Sequence, residues 1–261
     1  MLRKKNKAFL VGPFIGELSW EFYRFAPYII NLKKKNPTKK IIVFTRPSRF
    51  DLYGVYADIL VPLKLISDDS GNHNCFTIKD FNGTGYSLLS KAFITKYQKR
   101  FKVIDHIHPD ISRFYYKVKW QFPRDLMDYD FKPRIVNTKY VEKYNSGNLI
   151  FYNVYNRTHP QCLRKYDVEF ANTFYEELSF NYDNQNITSV GCLIELIKKC
   201  KFVISSFDSF VSHLALLLKI PVIAPRENIS EDKIHLLNPL NTPVILYDEL
   251  ERGIECYENN F

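Results

Sequence analysis

A polar turn between two apolar segments holds the residues with the clearest chemical potential. Ser206, Asp208 and Ser209 follow the β-branched run Phe202–Ile204 and precede the apolar segment Val211–Leu218. This order predicts a strand, a turn and a helix, and open parallel sheets bind ligands beyond the carboxyl ends of their strands. The first N–H groups of the helix would favour an anion there, such as a nucleotide diphosphate. The alternative is that these polar side chains only cap the helix.

A glycine-containing turn near the amino terminus carries a second candidate group. Gly12 and Gly16 follow an apolar strand predicted at Ala8–Val11, and Glu17 begins the segment after them. Glycine lets the backbone approach a ligand closely, and a carboxylate could take a proton from a hydroxyl group. The glycine spacing is neither a dinucleotide fingerprint nor a P-loop, which argues against a dehydrogenase or an ATPase. The alternative for Glu17 is an acid that only complements the helix dipole.

Cationic side chains form a third candidate group. Arg157, Arg164 and Lys165 lie in a loop just after a strand predicted to begin at Leu149. A guanidinium group can hold two phosphate oxygens at once, although loop cations are often only solvated. His213, in the first turn of the helix that follows the polar turn, could donate to a phosphate or ribose oxygen or could simply pack in the helix.

Neither a metal site nor a disulfide framework is indicated. His106 and His108 alternate on a predicted strand but have no third His or Cys at a recognised spacing, so we interpret them as an edge-strand or interface pair. Ser209 lies in no GxSxG elbow, which disfavours a hydrolase. The five cysteines are odd in number and lack CxxC spacing, which favours a reducing compartment and a cytoplasmic protein without metal or cofactor.

The composition indicates a globular protein whose net positive charge attracts anions. The 261 residues are 46% hydrophobic, so the chain can bury a substantial core. Its formal charge of +9 suits nucleotide phosphates, nucleic acid or a membrane face. No apolar stretch is long enough to span a bilayer, so membrane contact would be peripheral.

Strands and helices alternate along the chain, which predicts α/β architecture with parallel sheets. A polar, irregular stretch between Pro123 and Gly147 divides it into two Rossmann-like domains, 1–146 and 147–261, facing a ligand-binding cleft. The predicted strands are Ala8–Val11, Lys40–Thr45, Ala57–Leu63, Lys102–Ile107, Leu149–Val154, Phe202–Ile204, Val222–Ala224 and Thr242–Leu246. The predicted helices are Leu18–Lys35, which Pro27 should kink or divide, Ser87–Phe101, Val168–Leu178, Ser189–Cys200 and Val211–Leu218.

Two segments resemble the heptosyltransferase-like glycosyltransferases of GT-B type. GPFIGELSWEF is similar to the first loop of that family, with Glu17 at the position of its acid and Pro27 following. ISSFDSFVSHLALLLKIPVIAP is similar to the distal pattern of the family, and the matching positions are Asp208, Ser209, His213, Leu214, Ala215 and Pro221 to Ala224. Phe210 replaces the glycine of the family, which would crowd a diphosphate.

The resemblance implies a metal-independent, inverting transfer of a sugar from a nucleotide diphosphate to the hydroxyl group of a carbohydrate or glycan acceptor. It implies that Glu17 is the catalytic base and that Gly12, Gly16, Arg157, Arg164, Lys165, Ser206, Asp208, Ser209 and His213 form the substrate-binding set. Two alternatives remain. One is a basic nucleic-acid-binding protein with stacking Tyr and Phe side chains, and the other is a degenerate transferase fold that only binds carbohydrate or protein.

Overall fold

Two compact units, Met1–Ile135 and Val136–Phe261, make up the protein in a computed structural model. The structure describes residues 5–13, 21–63, 84–107, 126–133, 149–152, 176–179, 190–207, 209–226, 229 and 231–260. Within these residues the strands are β1 (Lys7–Val11), β2 (Lys40–Thr45), β3 (Ile59–Pro62), β4 (Lys102–Ile107), β5 (Leu149–Tyr152), β6 (Glu176–Ser179), β7 (Phe202–Ile204), β8 (Val222–Pro225) and β9 (Val244–Tyr247). The α-helices are α1 (Ala26–Lys35), α2 (Phe50–Tyr53), α3 (Thr84–Gln98), α4 (Val190–Lys199), α5 (Phe210–Leu217), α6 (Glu231–Leu237) and α7 (Leu250–Asn260).

The first unit contains a four-stranded parallel sheet in the order β3-β2-β1-β4. β1, β2 and β3 are largely apolar, as a sheet covered by helices requires, whereas the edge strand β4 also contains Asp105 and His106. Phe93 and Tyr97 on α3 pack against Leu10, Ile42 and Phe44 of the central strands. The two aromatic rings therefore fix α3 to one face of the sheet.

The second unit contains a five-stranded parallel sheet in the order β6-β5-β7-β8-β9. α5 is almost completely buried, and α7 packs Leu250, Ile254 and Tyr257 onto β7, β8 and β9. The parallel α/β architecture predicted for both halves is confirmed. None of the helices in the described part of the chain has both the length and the apolar character needed to cross a membrane.

Two predicted helices differ from the structure. The segment before Pro27 is a π-helical turn at Glu21–Phe25, and α1 begins at Ala26 with Pro27 in its first turn. Proline lacks the N–H that a helix interior needs, so Pro27 divides the predicted helix Leu18–Lys35 as expected. The helix predicted at Val168–Leu178 is wrong at its end, because Glu176–Ser179 forms β6 and pairs with β5. Sheet pairing overrides the helix propensity of Glu and Leu there.

A glycine in the first unit provides a test of packing. Gly54 has a φ of 41°, and a Cβ atom on it would collide with the carbonyl oxygen of Lys132. That carbonyl accepts a hydrogen bond of 3.2 Å from the N–H of Val55, so it cannot withdraw freely. We expect Gly54→Ala to lower the free energy of unfolding by about 2 kcal/mol or more, measured by urea denaturation. Unchanged stability would contradict the close approach of residues 126–133 to Gly54.

Candidate functional site

The polar turn after β7 is built around a buried serine cluster. Ser209 is the N-cap of α5, and its Oγ accepts a hydrogen bond of 3.0 Å from the Ser212 N–H. The Ser205 and Ser209 hydroxyl oxygens lie 2.6 Å apart, and the Ser212 hydroxyl donates to the Ser206 carbonyl oxygen at 2.7 Å. These contacts fix the direction in which α5 begins. The capping alternative therefore describes the Ser209 side chain well.

Ser206 differs from its serine neighbours. Its carbonyl oxygen accepts from the Ser212 hydroxyl and from the Ser209 N–H. Its own hydroxyl forms no hydrogen bond to a residue that the structure describes. The backbone of Ser206 thus holds the turn, and its hydroxyl takes no part in the hydrogen bonds of the serine cluster.

His213 lies in the first turn of α5, as predicted, and is 7% exposed. Its ring meets the Phe207 ring edge-on, with centroids 6.2 Å apart and an interplanar angle of 78°. Its backbone N–H donates to the Ser209 carbonyl oxygen at 3.1 Å. Packing against Phe207 thus orients the imidazole next to the serine cluster, and Phe210 is half-buried at the start of the same helix.

Sheet topology places this turn at the switch point of the second sheet. In the second unit, β5 and β7 are neighbours, with Tyr152 paired to Ile204, and the strand order reverses between them. Ligands of open α/β sheets bind outside the carboxyl ends of the strands at such a switch point. The serine cluster follows β7, and the chain segment containing Arg157, Arg164 and Lys165 follows β5.

The Gly12 turn lies at the equivalent position of the first sheet. β1 and β4 are neighbours at the reversal of strand order, with Val11 paired to Ile107. Gly12 has a φ of 94° and donates its N–H to the Ile107 carbonyl oxygen at 3.0 Å. The His106 Nε2 lies 2.7 Å from the Gly12 carbonyl oxygen. Since a carbonyl only accepts, this nitrogen carries the proton, and His106 helps to fix the turn.

A buried ion pair lies just beyond the segment that contains Glu17. Glu21 and Arg49 are both fully buried, and Arg49 Nη1 lies 2.6 Å from Glu21 Oε2. The hydroxyl groups of Thr45 and Tyr53 donate to Glu21 Oε1 at 3.1 and 2.5 Å. Burial, followed by the charge of Glu21 and the hydrogen bond to it, raises the pKa of Tyr53 well above its ordinary value. Tyr53 therefore stays protonated and acts as a donor.

This Glu21 network ties the π-helical turn to the carboxyl end of β2 and to α2. The sequence alone assigned no role to Glu21, Arg49 or Tyr53. Their partners are 28 and 32 residues away in the chain, so no local spacing reveals them.

Solved structures of glycosyltransferases resemble the chain over nearly its whole length. A glycosyl transferase family 9 protein from Veillonella parvula DSM 2008 is 13% identical, with a TM-score of 0.54 over 99% of this chain and 90% of that one. The E. coli heptosyltransferase WaaC, solved with ADP, is 12% identical, with a TM-score of 0.56 over 98% of this chain and all of that one. The E. coli ADP-heptose lps heptosyltransferase II is also 12% identical, with a TM-score of 0.54 over 97% of each chain.

The chain has the GT-B fold. The resemblance read from the two sequence segments is thereby confirmed at the level of fold. No protein-family model and no curated protein sequence matches the chain.

The catalytic candidate Glu17 lies outside the described residues of this GT-B protein. Five predicted substrate-binding residues also lie outside them, namely Gly16, Arg157, Arg164, Lys165 and Asp208. The structure brings Ser206, Ser209 and His213 together at the start of α5 and places Gly12 at the switch point of the other sheet. His108 also lies outside the described residues.

Asp128 and Asp130 form an Asp-x-Asp triplet, a spacing often found in metal-dependent transferases, and both carboxylates are engaged in ion pairs. Lys34 Nζ lies 2.6 Å from Asp128 Oδ2 and 3.1 Å from Asp130 Oδ2, and Lys132 Nζ lies 3.0 Å from Asp130 Oδ2. Burial alone would raise the pKa of Asp130, but hydrogen bonds from Tyr56 and the two lysines lower it to about 2. These carboxylates already have cationic partners. No group of three or more metal-ligating side chains occurs in the described ranges.

Proposed function

We propose that the protein is a glycosyltransferase that moves a sugar from a nucleotide diphosphate donor to the hydroxyl group of a carbohydrate or glycan acceptor. The observation that carries this proposal is the position of the serine cluster, at the switch point of the second sheet in a protein with the GT-B fold. The E. coli neighbour solved with ADP supports a nucleoside diphosphate as the ligand. We place the protein in a reducing, cytoplasmic setting, because its five cysteines are odd in number and lack CxxC spacing.

The donor is held mainly by the second unit in this proposal. The N–H groups at the start of α5 and the Ser206 hydroxyl face the phosphates, because a helix N-terminus presents partial positive charge. Arg157, Arg164 and Lys165 supply cations that stabilise the departing diphosphate, and Asp208, Ser209 and His213 orient the turn. Because these groups neutralise the leaving group, no metal ion is required. Ser209 acts chiefly through the helix cap, since its hydroxyl is engaged with Ser205 and Ser212.

The acceptor is activated by the first unit. Glu17 takes the proton of the acceptor hydroxyl, and the oxygen then attacks the anomeric carbon as the bond to the diphosphate breaks. One displacement at that carbon inverts its configuration. Gly12 and Gly16 let the backbone approach the reacting groups closely.

Calorimetry with ADP, UDP, GDP and CMP, followed by the corresponding sugar nucleotides, tests the donor site. We expect one nucleotide to bind, with ADP tested first because of the ADP-bound neighbour. Absence of heat with every nucleotide would favour a protein that keeps the fold only to bind carbohydrate or protein.

A matched pair of serine variants separates ligand binding from helix capping. We expect Ser206→Ala to weaken nucleotide binding about 10-fold, because a hydrogen bond to a charged group is lost, and to change the melting temperature little. Ser209→Ala should instead lower the free energy of unfolding by about 1 kcal/mol, because it removes the N-cap of α5. Equal effects of the two variants on nucleotide affinity would remove Ser206 from the donor site.

A further inference from the structure

The outer side of α3 presents a cluster of cations that the proposed reaction does not use. Lys91, Lys96 and Lys99 are exposed, and at 3.6 residues per turn they fall within an arc of about 140° around the helix. Phe93 and Tyr97 point the other way, into the core. An open depression of about 610 Å³ lies between the three lysines, with Ala92 and Thr95 forming the rest of its lining.

Further cations extend this cluster around the end of α3. Lys5 donates to the Gln98 carbonyl oxygen at 3.2 Å. Lys7 lies opposite Lys102 in the strand register, at the amino ends of β1 and β4. Arg100 lies in the connection between α3 and β4 and is exposed. We call the set the basic face, and its members are Lys5, Lys7, Lys91, Lys96, Lys99, Arg100 and Lys102.

The basic face has no acidic ion-pair partner among the residues that the structure describes. The sequence contains no Asp or Glu from residue 1 to 16 or from residue 81 to 104. None of the seven cations forms a salt bridge with a described residue, whereas Lys33, Lys34 and Lys40 on the same unit all do. Exposed cations without an acidic partner in the described ranges give this face a positive potential that attracts anionic partners.

The chemistry of the basic face favours an extended anionic surface over nucleic acid. Six of its seven cations are lysines, which act as flexible point charges and do not impose the bidentate geometry of arginine. Two aromatic side chains of α3 that a single-stranded nucleic acid could use for stacking, Phe93 and Tyr97, are only 4% and 5% exposed. Anionic lipid head groups require only charge, and each lysine near such a membrane contributes separately.

We propose that the basic face docks the protein onto a bilayer surface that carries anionic lipid. Docking does not involve the serine cluster of the second unit. Vesicle binding can therefore be measured independently of sugar transfer. The probes are vesicles of phosphatidylcholine and vesicles of phosphatidylcholine mixed with phosphatidylglycerol, incubated with the full chain and sedimented. The full chain should bind the mixed vesicles and not the neutral ones, and its binding should weaken as salt is raised.

The decisive variant is Lys91→Gln/Lys96→Gln/Lys99→Gln, because it removes three charges from exposed positions without touching the core. We expect its affinity for mixed vesicles to fall on the order of 100-fold. The matched control Lys35→Gln/Lys219→Gln/Arg252→Gln removes the same charge from exposed positions elsewhere and should retain most of the binding. Circular dichroism checks that both variants are folded.

Three results would overturn the proposal. The first is equal binding of the two triple variants to mixed vesicles, or no binding by the unaltered chain. The second is tighter binding of a labelled single-stranded oligonucleotide than of vesicles, with the same dependence on Lys91, Lys96 and Lys99. The third is displacement from vesicles by inorganic phosphate beyond that caused by chloride at equal ionic strength, which would indicate a discrete phosphate site.

Discussion

Replacing Glu17 by glutamine is expected to lower the rate of sugar transfer by about 10²- to 10⁴-fold, the usual contribution of a general base. Glutamine has nearly the same shape as glutamate but cannot take the acceptor proton. Glu17 lies in the segment between the Gly12 turn, at the switch point of the first sheet, and the buried Glu21 network. We would measure nucleotide release at saturating donor, with calorimetry of the nucleotide in parallel.

A base acts on the reaction and not on donor binding, so the nucleotide dissociation constant of Glu17→Gln should be unchanged. Glu251→Gln makes the same chemical change at an exposed position on α7 and should leave the rate unaltered. Turnover at the normal rate by Glu17→Gln would assign the base to another residue. A loss of nucleotide affinity equal to the loss of rate would instead place Glu17 in the donor site.

Strands were the most predictable part of the fold. β1, β2, β7 and β8 are short, largely apolar runs bounded by polar or breaking residues, and their sequences carry the signal locally. β6 was not predictable in this way, because its Glu-Glu-Leu-Ser sequence favours a helix and only pairing with β5 makes it a strand. The neighbours in each sheet, which create the switch points, are likewise set by packing over long sequence distances.

The candidate site also combines features that the local sequence predicts with features that depend on long-range packing. Capping of α5 by Ser209 follows from the local order of a polar turn and an apolar helix, so the sequence predicts it. The Ser206 and Ser209 hydroxyl groups differ in hydrogen bonding because Ser205 and Ser212 close around Ser209, which only the fold reveals. The buried Arg49 is the clearest case, since an arginine between Ser48 and Phe50 looks like a surface residue until Glu21 is placed beside it.

Arg49→Leu is expected to lower the free energy of unfolding of the first unit by about 3–5 kcal/mol, because it leaves the charge of Glu21 buried without its cation. Thr45 and Tyr53 still donate to Glu21 Oε1, but hydroxyl groups do not neutralise a carboxylate. Both tryptophans of the chain, Trp20 and Trp120, belong to the first unit. Their fluorescence during urea denaturation therefore reports on this unit selectively.

Two further variants separate the buried charge from a general effect of losing a cation. Lys132→Leu breaks the Lys132–Asp130 ion pair, whose lysine side chain is 57% exposed, and should cost no more than about 1 kcal/mol. Glu21→Leu/Arg49→Leu removes both buried charges, so its loss should fall short of the sum of the two single losses by about 1–3 kcal/mol. Additive losses, or an Arg49→Leu midpoint equal to that of Lys132→Leu, would mean that the ion pair does not hold the π-helical turn against β2. A shortfall of the expected size would show that Glu21 and Arg49 stabilise this turn as a pair, directly beside the segment that contains Glu17.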